Sequence, residues 1–235
     1  MRLQTITNQA RLVALLAAPI LGCSRGEPET AYASSTPARN VVAVQGTPSA
    51  KSEIAVALRL VLASSGNAAR YRVREQLVGH DLPNDAIGAT AKLTGAISID
   101  SSGKVIRDAS KFTVDAGSFV SDRDRRDGFV RGRLLEADEY PTIVFVPTSV
   151  SGVGLPLPTS GSRQIQMTGD LTVRGVTRPT VWKGTVEFKN GGVAGSASTA
   201  FTFDDMQIEQ PRVPVLLSVA DTIKLEIDFN LVRQK

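Results

Sequence analysis

Soft ligands are scarce in this chain. One Cys and one His occur among its 235 residues, too few for a zinc site, and without a second thiol there is no internal disulfide. A zinc hydrolase, a disulfide scaffold and a Cys-His protease are excluded on the same count. Aromatic residues make up only 5% of the chain, so it lacks the stacking platforms of single-strand binders and no nucleic-acid partner is expected. A transmembrane helix needs roughly 20 apolar residues to cross ~30 Å of hydrocarbon. The apolar run Leu12 to Gly22 is shorter than that and is interrupted by Pro19. What the chain does have is 20 Gly and 12 Pro, beside 42% hydrophobic and 21% charged residues. This is the composition of a turn-rich globular protein, not of a disordered one.

The first 22 residues carry Arg2 and Arg11, no acidic residue and then that apolar run, the layout of a secretory signal. The run ends Ile20-Leu21-Gly22-Cys23, which resembles a bacterial lipobox: an aliphatic residue, a small one at −1, then the Cys that is acylated and becomes the new N-terminus. Leu21 at −2 is bulkier than the usual occupant. The expected arrangement is a signal peptide over 1–22, a lipid anchor on Cys23 and residence in the bacterial envelope, with the folded part in the periplasm or extracytoplasmic space. Removal of Arg2 and Arg11 takes the 27 basic side chains to 25 against 23 acidic ones, a net charge of +2 in place of +4. No polybasic surface follows from so small an excess.

Residues 23–52 are rich in Ser, Thr, Ala, Pro and Gly without a sustained apolar period, and read as a tether. Residues 53–235 read as one domain dominated by period-2 alternation. Its clearest stretch is Ile223, Leu225, Ile227, Phe229 and Leu231, alternating with Lys224, Glu226, Asp228 and Asn230. Similar patterns run through Tyr71-Val73-Leu77, Leu93-Ile97-Ile99, Val144-Val146, Ile165-Met167-Leu171-Val173, Trp182-Val186-Phe188 and Phe201-Phe203. Ile54 to Ala63 suits either a helix or a buried strand. Asp127 to Glu139 predicts a short helix ending before Pro141, and Asp204 to Gln210 a single turn before Pro211. About eight strands, each with one apolar face, must close on themselves or pair with a second sheet.

Several of these strands carry glycine on the inward face: Gly95, Gly169, Gly184 and Gly195. Such glycines permit the sharp coiling of a closed barrel or leave room for a ligand, and the two readings are compatible. The inward residues Tyr71, Val73, Phe145, Leu171, Trp182, Gly184, Phe201, Phe203 and Phe229 are the candidate lumen lining. Periodicity does not distinguish core packing from cavity lining at these positions.

Arg126-Asp127, Leu134-Leu135, Tyr140-Pro141 and Phe145 are followed by Gly169-Leu171-Thr172, Gly175-Val176-Thr177 and a closing Ser218-Val219 with Asp221-Thr222-Ile223. In this order they resemble the signature of the YceI-like family of lipid- or polyisoprenoid-binding proteins, over roughly residues 68 to 233. The resemblance implies a mainly β, lipocalin-like extended antiparallel barrel of about eight strands with one or two short helices. It also implies an apolar lumen that holds an isoprenoid or other long-chain lipid, with no cofactor, no metal and no catalytic group. The loop Ser151 to Gln164, with Pro156 and Pro158, departs from the pattern as an insertion. The alternative is a non-catalytic structural or stress-related envelope protein whose barrel is filled by its own side chains.

The densest charge cluster is Ser121 to Asp127, a solvated helix start or a site where one Arg reaches the barrel mouth. Arg126 is the candidate for holding a polar or diphosphate head group, because guanidinium matches phosphate oxygens. His80 lies in a turn-rich stretch, and no Gly-x-Ser-x-Gly elbow accompanies it. Asp138-Glu139 reads as a helix end, since adjacent residues diverge on a helix. Arg70, Arg72 and Arg74 form a basic stripe on the wet face of a strand, where contact with anionic lipid is the rarer use.

Overall fold

The alternating segments become strands. The computed structural model describes residues 55–189 and 191–234. Within them lie β1 (Val56–Leu62), β2 (Ala68–Leu77), β3 (Asn84–Thr90), β4 (Leu93–Asp100), β5 (Lys111–Asp115), β6 (Thr142–Ser151), β7 (Gly161–Val173), β8 (Val176–Lys189), β9 (Gly192–Thr202) and β10 (Leu216–Arg233). Cys23, the signal segment and the 23–52 tether lie outside the described residues. The stretch that suited helix or strand is β1, in which Leu58 and Leu60 are buried to either side of Arg59.

All pairings are antiparallel, and β10 explains how the ring closes. One edge of β10 pairs with β9, while the other pairs with β2 over Leu216–Asp228 and then with β1 over Leu231–Arg233. β1 and β2 are therefore two halves of one strand path. β3 and β4 form a second such path, because β2 pairs with β3 and β1 with β4. Counted this way, eight strand paths run up and down and close into a barrel through β1–β10, with β3 last in the ladder. Ala89 and Val120 extend the closure by exchanging backbone bonds of 2.9 and 3.0 Å.

The β1–β2 path is broken by Ala63 to Asn67, where Gly66 takes φ +82°. Asn67 repairs the break with its side chain. Its Nδ2 donates to the Ala63 carbonyl (2.7 Å) and its Oδ1 accepts from the Asn230 amide (2.8 Å), in place of the missing ladder bonds.

The two barrel ends differ. One is packed shut by Leu58, Leu60, Ile97, Ile99, Ile165, Val186, Phe188, Val193, Phe229 and Leu231, with Val153, Leu155 and Leu157 of the β6–β7 loop against them. The insertion recognised in the sequence is thus a plug. At the other end the chain leaves β5 and returns to β6 at paired positions, Asp115 and Thr142. Between them lie α1 (Asp124–Phe129) and a single π-helical turn, Val130–Leu134. This helical segment starts three residues earlier than the sequence predicts and ends before Glu136, whose φ of 47° breaks it. Asp127 does not begin the helix. It folds back instead to accept from the Ser121 amide (2.8 Å) and hydroxyl (2.6 Å). The expected turn after Phe203 is a 3-10 turn, Asp204–Met206. Among the described residues no helix is long and apolar enough to cross a membrane. The unit Lys51–Lys235 contains the whole closed ladder and both core clusters, so it has what it needs to fold alone.

Candidate functional site

Three hollow spaces follow one another inside the barrel. The outermost, about 540 Å³, lies under α1 and is lined by residues including Tyr71, Val73, Glu75, Arg126, Phe129 and Phe203. A middle chamber of about 80 Å³ shares Tyr71, Val73, Val130, Leu134 and Phe203 with the mouth. It shares Phe119, Ile143 and Leu225 with an inner chamber of about 100 Å³. The mouth falls within the usual range for small-molecule pockets. The inner two spaces are narrow channels between apolar walls.

Most of the expected lumen residues line these spaces. Tyr71, Val73 and Phe203 line both the mouth and the middle chamber, Phe201 the middle, and Phe145, Leu171, Trp182 and Phe229 the inner chamber. Gly184 lines none of the three. A Cβ there would lie 2.1 Å from the Ser196 carbonyl oxygen and 2.7 Å from the Ala197 Cα, so the neighbouring strand already occupies its space. Gly195 is similar, with the Thr185 carbonyl oxygen 2.3 Å from its Cβ position. These glycines serve close strand approach, not ligand room.

Another set of glycines seats aromatic rings. Gly88, opposite Tyr71 in the β2–β3 register, would place a Cβ 2.2 Å from Tyr71 Cε1. A Cβ at Gly169 would lie 2.6 Å from Phe145 Cζ and one at Gly95 2.6 Å from Phe112 Cδ1, though there the Val146 and Lys111 carbonyl oxygens of the next strand are as close, at 2.5 Å. Each ring lies down over a glycine and flattens against the wall. The wall rings also meet one another, Tyr71 on Phe119 and Phe145 on Trp182, both at 5.7 Å between centroids. Trp182 Nε1 donates to Thr180 Oγ1 (3.2 Å), so the indole brings no unpaired donor into the apolar chamber.

The polar groups collect at the mouth. Arg126 lines it as the sequence suggests, and its Nη2 meets Glu75 Oε1 at 2.6 Å, with side-chain exposures of only 12% and 8%. Its Nη1 pairs with Asp122 and donates to Ser121 Oγ (3.4 Å). Asp122 is held below the ordinary carboxylate range by this hydrogen bond. Burial pushes the Tyr71 hydroxyl, beside the same charges, up to about 12, so it stays protonated at neutral pH. Glu75 was not singled out from the sequence, although it interrupts the inward alternation Tyr71, Val73, Leu77. An acid in an apolar period is the signal that would have found it.

The other charged motifs have structural partners. Arg70 pairs with Asp228 (2.6 Å), Arg72 with Asp85 (2.9 Å) and Glu226 (3.3 Å), and Arg74 with Asp85 (3.1 Å). The basic stripe is therefore a cross-strand ion-pair face. His80 is exposed in the β2–β3 turn, and Asp138 and Glu139 are exposed.

A closed up-and-down barrel, plugged at one end and hollow and apolar towards the other, defines a lipocalin-like barrel. Within that class, the chain belongs to the YceI-like domain family, whose model matches residues 60–231. A UPF0312 protein of Pseudomonas putida is 31% identical over 137 residues, which cover 54% of this chain and 65% of that relative. The match thus spans slightly less than two thirds of the relative's length. Among solved structures, a polyisoprenoid binding domain from Saccharophagus degradans, implicated in plant cell wall breakdown, superimposes with a TM-score of 0.58. It is 14% identical, and the alignment covers 77% of this chain and all of that one. BcnA of Burkholderia cenocepacia gives a TM-score of 0.50 at 18% identity, over 72% of this chain and 96% of its own. At such identities these likenesses establish the fold.

Proposed function

We propose that the protein is a non-catalytic carrier of a long apolar lipid, a polyisoprenoid or a chain of similar shape, in the bacterial envelope. The observation that carries this reading is the row of three chambers, apolar throughout their inner part, with polar groups confined to one open end. Such a site suits a ligand with one polar end and a long tail. Each methylene taken from water contributes about 0.8 kcal/mol, so a long chain binds tightly with few specific contacts. The resemblance to a domain described as polyisoprenoid binding supports the same ligand class. The head group lies at the mouth beside Arg126, which retains N–H donors not taken by Glu75 and Asp122. Acylation of Cys23 holds the carrier at the membrane where its cargo resides.

The test is organic extraction and mass spectrometry of the 51–235 chain purified from its host, beside Ala69→Leu, which fills the inner chamber that Ala69 lines. The wild type should release an apolar lipid in near-stoichiometric amount and the variant much less, with both folded. No lipid in the wild type and a lowered melting temperature in the variant, as overpacking of a full core produces, would favour the barrel filled by its own side chains. For the anchor, wild-type protein should enter a detergent phase and Cys23→Ala should leave it.

A further inference from the structure

The segment that roofs the mouth is held to the barrel by side chains and not by backbone hydrogen bonds. Among the described residues, the backbone hydrogen bonds of residues 121–140 all close within that segment, whereas Ala116 and Val120 before it bond to Pro141 and Ala89. Two ion pairs tie the segment to the wall. Glu136 meets Arg174 in the β7–β8 turn at 3.2 Å, at the far end beyond the π-turn, and Arg126 on α1 meets Glu75 on β2 at 2.6 Å. Gly128 and Gly132 have no atom within 4 Å of a Cβ position, so no packing rigidifies the helix at either point. A π-turn directly follows α1, an irregularity that often marks functional sites. Phe129, Val130 and Leu134 project from the segment into the cavities.

Resting on the lipid-carrying reading, we propose that residues 121–134 form a lid, hinged near Glu136 and latched by Glu75–Arg126, whose opening admits and releases the cargo. A well-packed apolar pair would hold a permanent roof at no desolvation cost, whereas a buried ion pair is the kind of contact that switches use. Among the described residues Glu75–Arg126 is the lid's one ion pair to β2, set beside the apolar seat that Val130 and Leu134 find on the cavity wall. Opening exposes both charges to water, which compensates them and leaves the barrel ladder untouched.

A gate and a binding contact differ kinetically. Loss of a latch speeds association and dissociation alike and leaves Kd unchanged, whereas loss of a contact to the cargo speeds dissociation and raises Kd. The experiment is stopped-flow fluorescence of a dansyl-labelled isoprenoid alcohol with the 51–235 chain. It compares wild type, Glu75→Gln, Glu75→Ala, and Arg74→Gln as an outer-face control on the same strand. The latch variants should raise both rates by roughly tenfold, the loss of one charge-assisted bond, with Kd and the control unchanged. Hydrogen exchange should show the amides of 124–134 opening faster in Glu75→Gln while the strands keep their protection. That readout on the folded protein separates lid opening from general instability. Unchanged rates, or a raised Kd with faster dissociation alone, would overturn the lid. A wild type that takes up no probe would overturn the lipid-carrying reading itself.

Discussion

Glycine has opposite uses at different positions of this barrel. At Gly184 the missing side chain lets two strand backbones approach until a Cβ would lie 2.1 Å from a carbonyl oxygen, which no rotamer can relieve. At Gly88 it lets the Tyr71 ring lie flat, and a Cβ there would displace the ring, while at Gly95 and Gly169 it makes room for both a ring and the next strand's carbonyl. At Gly128, in exposed helix, it does neither. Gly184→Ala should therefore destabilise the protein by about 1–3 kcal/mol or more, as overpacking does. Gly128→Ala should stabilise it by about 0.5–1 kcal/mol through the smaller entropy of the unfolded chain. Urea titrations of both variants measure the difference, and a neutral Gly184→Ala would contradict the close strand contact.

Among the elements, the first strand path is the one that needs a repair. Five residues leave the ladder between β1 and β2, and Asn67 occupies the gap with both ends of its amide engaged. Asn67→Ala would leave the Asn230 amide and the Ala63 carbonyl without these partners. The expected cost is about 1 kcal/mol, that of hydrogen bonds lost at partly buried backbone groups. Hydrogen exchange should localise the loss to β1, the C-terminal third of β10 and their junction, and leave β7 and β8 protected. A uniform loss of protection would mean that the corner holds no more than its share of the ring. On the outer faces the ion pairs of Arg70, Arg72 and Arg74 contribute little each, because they are partly exposed and screened.

As a whole the molecule divides into a packed half and a hollow half, and equal substitutions should act differently in the two. Phe188 is 3% exposed in the plugged end, and Phe188→Ala should cost about 3–5 kcal/mol. Phe145 is only half-buried, lying against Trp182 and lining the inner chamber. Phe145→Ala should cost less stability while it changes lipid occupancy, because it removes wall from a cavity that is already open. Paired melting curves and lipid extraction check this. Equal stability losses with unchanged lipid would mean that both ends are core.

Period-2 alternation determined the strands, their inward faces and the need for closure, because a strand's side chains alternate whatever its partners are. The linked motifs from Arg126 to Thr177 determined the family, and most of the lumen lining followed from the alternation alone. Register was decided only in three dimensions. Glu75 and Arg126 stand 51 residues apart and meet because β2 lies beneath the lid. Gly88 matters because the hairpin sets it opposite Tyr71, and Gly184 lacks lumen space because Ser196 and Ala197 of its ladder partner β9 approach it closely. The same holds for the hollow itself. The sum of apolar residues is the same for a filled and an open barrel, and only their placement in three dimensions leaves chambers between the walls.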